Sequence, residues 1–422
     1  MNPRRPLAAR TNTVAFAAVV LGSSILLAGC GASSTRSADG AGACPTQTPG
    51  VTADSVKIGL IYPDTGPTAV ASTFKGTRSA VQARIDQQNA SGGVGGRRID
   101  VVWGDDESDS GKFTAEAHDL VDTEGVFGLV AQSIVVDGSA SWLQAQGIPV
   151  TGTATSASWS THPNLFHFGN VFNPGSASTI GDYVKAQGGT KALVVIDSST
   201  ATSQNLAAQF TPSLRSRGIQ VVGEVPFTDG LTSPSHVAHE LADAGANTLV
   251  AATQASTFID IYTQAKALGI TLAAALSATG YDPGLLTQRG DDMAGISIIS
   301  GYSAVDSPAM LAYDRAMSTY APELADPRDD LALAGYVAAD EMIQGLRLAG
   351  TCPTREAFIQ NLRKVTNFTG GGLVAPVDLS KPLEPDNCFN FVKVDHAGRA
   401  FASVPPPAAL DKNGFWCGAP LT

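Results

Sequence analysis

The sequence predicts an α/β protein of two doubly wound lobes, and three observations carry that prediction. From Val56 onward, short apolar runs rich in β-branched residues alternate with amphipathic stretches, the mark of parallel strands joined by crossover helices. The rhythm starts afresh at Ala192, and two copies of an alternating unit imply two sheets. Between the copies lies 163–176, rich in turn formers, which suits a crossover from one lobe to the other.

In order along the chain, residues 56–62 read as the first strand, followed by a Pro/Gly turn and a helix over 73–89 with Ala80, Val81 and Ile85 on one face. Strands at 99–103, 126–130 and 148–151 then alternate with helices over 115–121 and 139–146. In the second copy, strands at 192–196, 219–225 and 248–252 alternate with helices over 203–217, 236–244 and 257–268. After Gly301 come helices over 331–348 and 354–365, a Gly/Pro-rich stretch 370–385, and an alternating strand 389–394. This last half-unit has no full sheet of its own and must pack onto the existing lobes. The chain then crosses between them more than once, which makes a hinge rather than a loose linker. Lobe 1 is therefore assigned to 51–172 plus 303–385, and lobe 2 to 173–302 plus 386–422.

The N-terminus points to export. Arg4, Arg5 and Arg10 precede an apolar run over 14–27 that ends in Leu27-Ala28-Gly29-Cys30. The run is too short for a comfortable membrane span, and small residues before a cysteine suit lipoprotein processing. Residues 1–29 are read as the signal peptide and Cys30 as the lipidated first residue, which places the protein on the extracytoplasmic face of the cell membrane. The small, polar segment 30–50 is read as a flexible tether. Processing removes three arginines and no acids, so the formal charge of −11 becomes −14. An acidic surface argues against nucleic acid or anionic lipid as a partner.

Of five cysteines, Cys30 is set aside for lipid. Cys44, Cys352, Cys388 and Cys417 form an even set in an oxidising compartment, read as two disulfides with three possible pairings. No two of them have the close spacing of a zinc knuckle. The run 92–96 is glycine-rich but follows a helix and enters a strand, the reverse of a phosphate-binding loop, and reads as a tight turn. His236, His239 and Glu240 match neither zinc-protease pattern and read as a solvated helix face. No serine lies in a Gly-x-Ser-x-Gly elbow. Nothing here supports an enzyme, a metal site or a cofactor.

The run Asn89-Ala90-Ser91-Gly92-Gly93-Val94-Gly95-Gly96-Arg97-Arg98-Ile99, preceded by Ile58-Gly59-Leu60 and Thr65-Gly66-Pro67 and followed by Asp105-Asp106, resembles the type I periplasmic binding proteins of the leucine/isoleucine/valine-binding family. The resemblance extends to Gly147-Ile148-Pro149-Val150 and Ala334-Gly335-Tyr336-Val337-Ala338, covering most of the chain from Val56 to about Val394. It implies two Rossmann-like lobes joined by a three-crossover hinge, a small-molecule solute held in the cleft, and a closed form presented to the permease of an ATP-binding cassette importer. A monomer is expected. Some relatives are sensors that signal to a membrane receptor, which is the rival reading; a cell-wall hydrolase, which would turn its solute over, is the third.

By resemblance, the turns after the third and fourth strands grip the ligand: Gln132 and Ser133 in the first, and Ala154, Thr155 and Ser156 in the second. In lobe 2 the loops offer Thr253, Gln254 and Tyr281. Where amino-acid binders place aromatics, this chain has Ala201, Thr253 and Gln254, and where they place a glutamate against the ammonium group it has Thr279-Gly280-Tyr281. Asp282 is the adjacent candidate for that missing charge. With the lobes laid out as the resemblance implies, Cys44 precedes the first strand and Cys352 follows a helix that runs away from the cleft, so both reach the remote end of lobe 1. Cys388 and Cys417 can meet locally in lobe 2. The expected pairs are Cys44–Cys352 and Cys388–Cys417.

Overall fold

The structure is a computed structural model that describes Cys44, 47–169 and 175–421. The proposed signal peptide, Cys30 and most of the proposed tether lie outside the described residues. The last part of the segment read as tether is held: Cys44 is bridged to Cys352, and the Gly50 carbonyl accepts from Lys57 N at 2.7 Å.

Lobe 1 begins with β1 (Ser55–Tyr62), α1 (Thr68–Phe74), α2 (Thr77–Ala90) and β2 (Arg98–Asp105). It continues through α3 (Ser110–His118), β3 (Leu129–Ala131), α4 (Asp137–Ala145), β4 (Val150–Gly152), α5 (Ser158–Thr161) and β5 (Leu165–Phe166). The five strands pair in parallel in the order β2-β1-β3-β4-β5.

Lobe 2 opens with β6 (Ser176–Ala177), α6 (Thr179–Ala186), β7 (Lys191–Asp197), α7 (Ala201–Ser216) and β8 (Gln220–Phe227). Then come α8 (Pro234–Asp243), β9 (Thr248–Ala252), α9 (Ala255–Ala267), β10 (Ala274–Ser277), α10 (Pro283–Met293) and β11 (Ser297–Ser300). The chain returns to lobe 1 for α11 (Pro308–Tyr320), α12 (Asp330–Leu348) and α13 (Arg355–Leu362). It ends in lobe 2 with β12 (Cys388–Val394), β13 (Phe401–Ser403), β14 (Asp411–Lys412), β15 (Phe415–Cys417) and β16 (Pro420–Leu421). The large sheet runs β8-β7-β9-β10-β11-β12-β15-β14, parallel as far as β11, with β12 antiparallel to it.

Each sheet is buried on both faces, which is why its strands read as continuous apolar runs. In lobe 1, Ile58, Leu60 and Phe166 pack under α2, α12 and α13, while Ile61, Leu129 and Val150 pack under α3 and α4. In lobe 2, Val195 and Leu249 pack with Val237 and Phe258 on one side; Val194 and Val250 pack with Tyr183 and Phe210 on the other. Among the described residues, no helix is long and apolar enough to cross a membrane.

Several elements differ from the sequence reading. The helix expected over 73–89 is two helices, broken at Lys75-Gly76, where an added Cβ on Gly76 would lie 3.0 Å from the Ala332 methyl of α12. Helix α3 starts earlier than expected because Asp109 caps it, accepting from Lys112 N at 2.9 Å. It runs on as a single π-helical turn, Asp119–Thr123. The crossover segment contributes a fifth strand, β5, to lobe 1. The glycine-rich run forms the expected turn: at Gly93 (φ 69°) an added Cβ would meet the Arg97 carbonyl at 1.8 Å, so only glycine fits.

The chain passes between the lobes three times: after β5, through 301–307, and through 380–387. Arg363 ties the segment that leads into the first passage to the segment that leads into the third. It donates to the carbonyls of Pro163 (2.9 Å), Leu165 (2.7 Å) and Leu379 (2.8 Å), and its guanidinium lies 4.1 Å from the centre of the Phe166 ring. The cysteines are bridged Cys44–Cys352 (Cα–Cα 5.4 Å) and Cys388–Cys417 (Cα–Cα 4.1 Å). The second bridge joins directly opposed residues of β12 and β15.

Candidate ligand-binding cleft

In open α/β sheets, ligands sit beyond the carboxyl ends of the strands, where the strand order reverses. In lobe 1 that edge is formed by the turns after β3 and β4. In lobe 2 it is formed by the loops after β7, β9 and β10. Between the lobes lies a cavity of about 390 Å³, within the size range of small-molecule sites. Lobe 1 and the passages supply Ala154, Phe168, Tyr302 and Val377; lobe 2 supplies Tyr281 and Ile298.

Of the sequence-predicted residues, Ala154 and Tyr281 line this cavity from opposite lobes, beside Thr153 and Thr279. Four others brace its surroundings. Gln132 and Ser133 are fully buried; Gln132 Oε1 accepts from the Thr153 hydroxyl at 2.6 Å, and the Ser133 carbonyl accepts from the Thr155 hydroxyl at 3.2 Å. The Ser156 hydroxyl donates to Asp137. These bonds join the turn after β3 to the turn after β4, fixing the lobe 1 rim with side chains that are already engaged. Thr253 and Gln254 line a separate pocket of about 320 Å³ on lobe 2, with Asp197, Asp229 and Asp260. Asp282 caps α10, accepting from Gly284 N (2.6 Å) and Leu285 N (3.2 Å), so it is turned to its own helix.

Sequence reasoning missed Phe168, Tyr302, Asp330, Arg363 and the wall formed by Val374–Leu379. Phe168 and Tyr302 sit on the passages between lobes and 374–379 in the Gly/Pro-rich stretch that leads to the third, which carries no period that reveals which way its side chains face. The start of α12 was legible as a helix end; its place on the cavity was not.

The cavity's ionisable groups are mostly committed. His167 is buried and pushed down to about 4 by burial and by Arg363, so it is neutral at physiological pH. Lys381 pairs with Glu384 at 2.9 Å. Burial pushes the Tyr281 phenol up to about 12, with Arg328 opposing and Asp330 adding to the shift. Burial likewise pushes the Asp330 carboxyl up to about 6, reinforced by Asp329 and Asp326. Among the described residues no three His, Cys, Asp or Glu side chains are grouped to hold a metal ion; His236 pairs with Glu240 at 2.9 Å on the exposed face of α8.

Residues 55–399 match the sequence profile of a family described as periplasmic binding protein. The chain belongs to that family. This periplasmic binding protein has no match among curated protein sequences, but many solved structures share its fold. One is a putative branched-chain amino acid ABC transporter from Rhodospirillum rubrum, 20% identical with a TM-score of 0.70, covering 83% of this chain and 100% of that one. Another is a branched-chain amino acid transporter substrate binding protein from Streptococcus pneumoniae in complex with isoleucine, 19% identical with a TM-score of 0.62, covering 83% and 99%. A third is an ABC transporter solute binding protein from R. palustris in complex with 4-hydroxybenzoate, 19% identical with a TM-score of 0.63, covering 83% and 96%. Likeness at that level of identity is one of fold. The family match, not that likeness, marks the chain as a binding protein, and its cavity lies where the strand edges of the two lobes face each other.

Proposed function

We propose that the protein is an extracytoplasmic solute-binding lipoprotein, anchored through lipid on Cys30, that captures a small polar or anionic, amino-acid-like metabolite by lobe closure and delivers it to an ATP-binding cassette importer. The observation that carries this reading is the cavity of about 390 Å³ shared by the two lobes and crossed by three hinge passages. A solute touching both walls stabilises the closed state by its differential contacts, and closure is the signal a permease reads. The structural relatives whose names mention isoleucine and 4-hydroxybenzoate support a small organic solute without choosing between them.

Two measurements test this. Native protein should release a small solute on denaturation, identified by mass spectrometry, and re-adding it should lower the radius of gyration in small-angle scattering. A radius of gyration unchanged at saturation would leave a rigid binder with no transport signal. For the anchor, the mature protein should partition into the detergent phase of a two-phase extraction and the Cys30→Ser variant into the aqueous phase. Equal partitioning of the two would remove the lipid.

A further inference from the structure

Arg97 follows the glycine turn before β2 and is buried. Its guanidinium fastens the N-terminal segment to the end of lobe 1 remote from the cleft. Nε donates to the Thr52 carbonyl at 2.6 Å, Nη1 to the Thr351 carbonyl at 2.5 Å, and Nη2 to Cys44 Sγ at 3.3 Å. One sulfur of the Cys44–Cys352 bridge therefore accepts from a buried cation. Both cysteines of that bridge are only half-buried, which leaves it open to a small reagent in solvent.

The Cys388–Cys417 bridge offers a comparison within the same molecule. It joins directly opposed residues of two paired strands, and Cys417 is buried. Cys388 Sγ lies 3.4 Å from the neutral side-chain amide of Asn387, and among the described residues neither sulfur is bonded to a cation. Opening a disulfide puts negative charge on the leaving sulfur, and a cation beside that sulfur stabilises the thiolate and eases reduction. Arg97 does this for Cys44. Position acts in the same direction. After opening, Cys388 and Cys417 stay opposed in their sheet and are poised to close again. Cys44 belongs to no helix or strand, and the next backbone attachment to lobe 1 among the described residues is the Gly50 carbonyl, bonded to Lys57 N.

We propose that Cys44–Cys352 is a redox-active bridge, opened by a dithiol, with Cys44 leaving as a thiolate held by Arg97. One thiolate of the dithiol attacks Cys352 Sγ; the Sγ–Sγ bond breaks and its electron pair passes to Cys44 Sγ. The second thiol of the dithiol, having given its proton to solvent, displaces Cys352, which leaves as a thiolate and takes up a proton. The protein gains two electrons and the dithiol departs as a disulfide. Cys44 is then free of lobe 1, while the cleft at the other end of the lobe keeps its walls. With lipid on Cys30, as proposed above, the anchoring chain ends at residue 50 instead of residue 44, six residues later. At roughly 3.3–3.6 Å per residue that adds about 20 Å of reach. This consequence alone depends on the anchor; the bridge chemistry does not.

The test uses the full-length mature protein in detergent, titrated with dithiothreitol. Free thiols are trapped by alkylation at each concentration and assigned by peptide mass mapping. Cys44 and Cys352 should open at a dithiothreitol concentration about tenfold or more below that needed for Cys388 and Cys417. Glutathione, a monothiol, quenched early, should leave its adduct on Cys352 in preference to Cys44, because Cys44 is the sulfur that departs. Arg97→Gln should remove most of the difference between the two bridges, and Arg97→Lys, which keeps the charge, should restore it. Both bridges opening together, adducts shared equally by Cys44 and Cys352, or Arg97→Gln opening as readily as the wild type would overturn the proposal. The adduct map is made on the wild type, so it decides the question even where Arg97→Gln does not fold.

Discussion

Glu341→Gln should stabilise the protein at about pH 8 by roughly 4 to 5 kcal/mol relative to its effect at about pH 4. Glu341 lies on α12, fully buried, with neither carboxylate oxygen hydrogen-bonded among the described residues. Burial pushes its carboxyl from 4.5 up to about 8; Arg363 pulls the other way and Asp340 adds to the rise. Below the unfolded value both states hold the proton, and the group's contribution to stability is fully present. Between the two values the unfolded chain releases a proton that the folded chain keeps, so stability falls as pH rises. Above about 8 the folded group ionises and the loss levels off. Glutamine keeps the shape of the neutral acid and cannot ionise, so the variant should lose this slope. His167 works oppositely: burial and Arg363 push it down to about 4, so its contribution is present at high pH and lost as pH falls. Subtracting variant from wild type at each pH isolates Glu341, because His167 is common to both. Denaturant titrations across the range give the answer, and parallel stability–pH curves for the two proteins would refute a buried neutral Glu341.

The second large effect is expected from the Cys44–Cys352 bridge. Its sequence separation is 308, for which the chain-entropy relation allows roughly 5 to 6 kcal/mol as an upper figure, measured effects of long loops often being smaller. The double variant Cys44→Ser, Cys352→Ser should therefore melt well below the wild type under non-reducing conditions. Solute affinity should barely move. Cys44 precedes β1, whose far end points to the cleft, and Cys352 follows α12, which starts at the cavity and runs away from it. The bridge is thus confined to the remote end of lobe 1 and does not restrain the hinge. Equal melting of variant and wild type would show that the bridge contributes nothing, and a large loss of affinity would show that it reaches the cleft.

What the sequence by itself determined was local and periodic. The alternation of apolar runs and amphipathic stretches specified two α/β lobes, because burial on both faces of a parallel sheet leaves that pattern in the residues themselves. The glycine turn before β2 was legible for a similar reason, since a left-handed backbone against a carbonyl admits no side chain. Contacts distant in sequence were decided by the tertiary structure alone. The hydroxyls of Thr155 and Ser156 looked available for a ligand, and only the packing of the turn after β3 against the turn after β4 shows them bonded to Ser133 and Asp137. Asp282 looked like a counter-charge, and only the start of α10 shows it capping that helix. Asp330 and Arg363 gave no signal, because each owes its place on the cavity to passages that return from the other lobe. A residue's chemistry is written in the chain, but which partners reach it depends on how distant segments close around the same space.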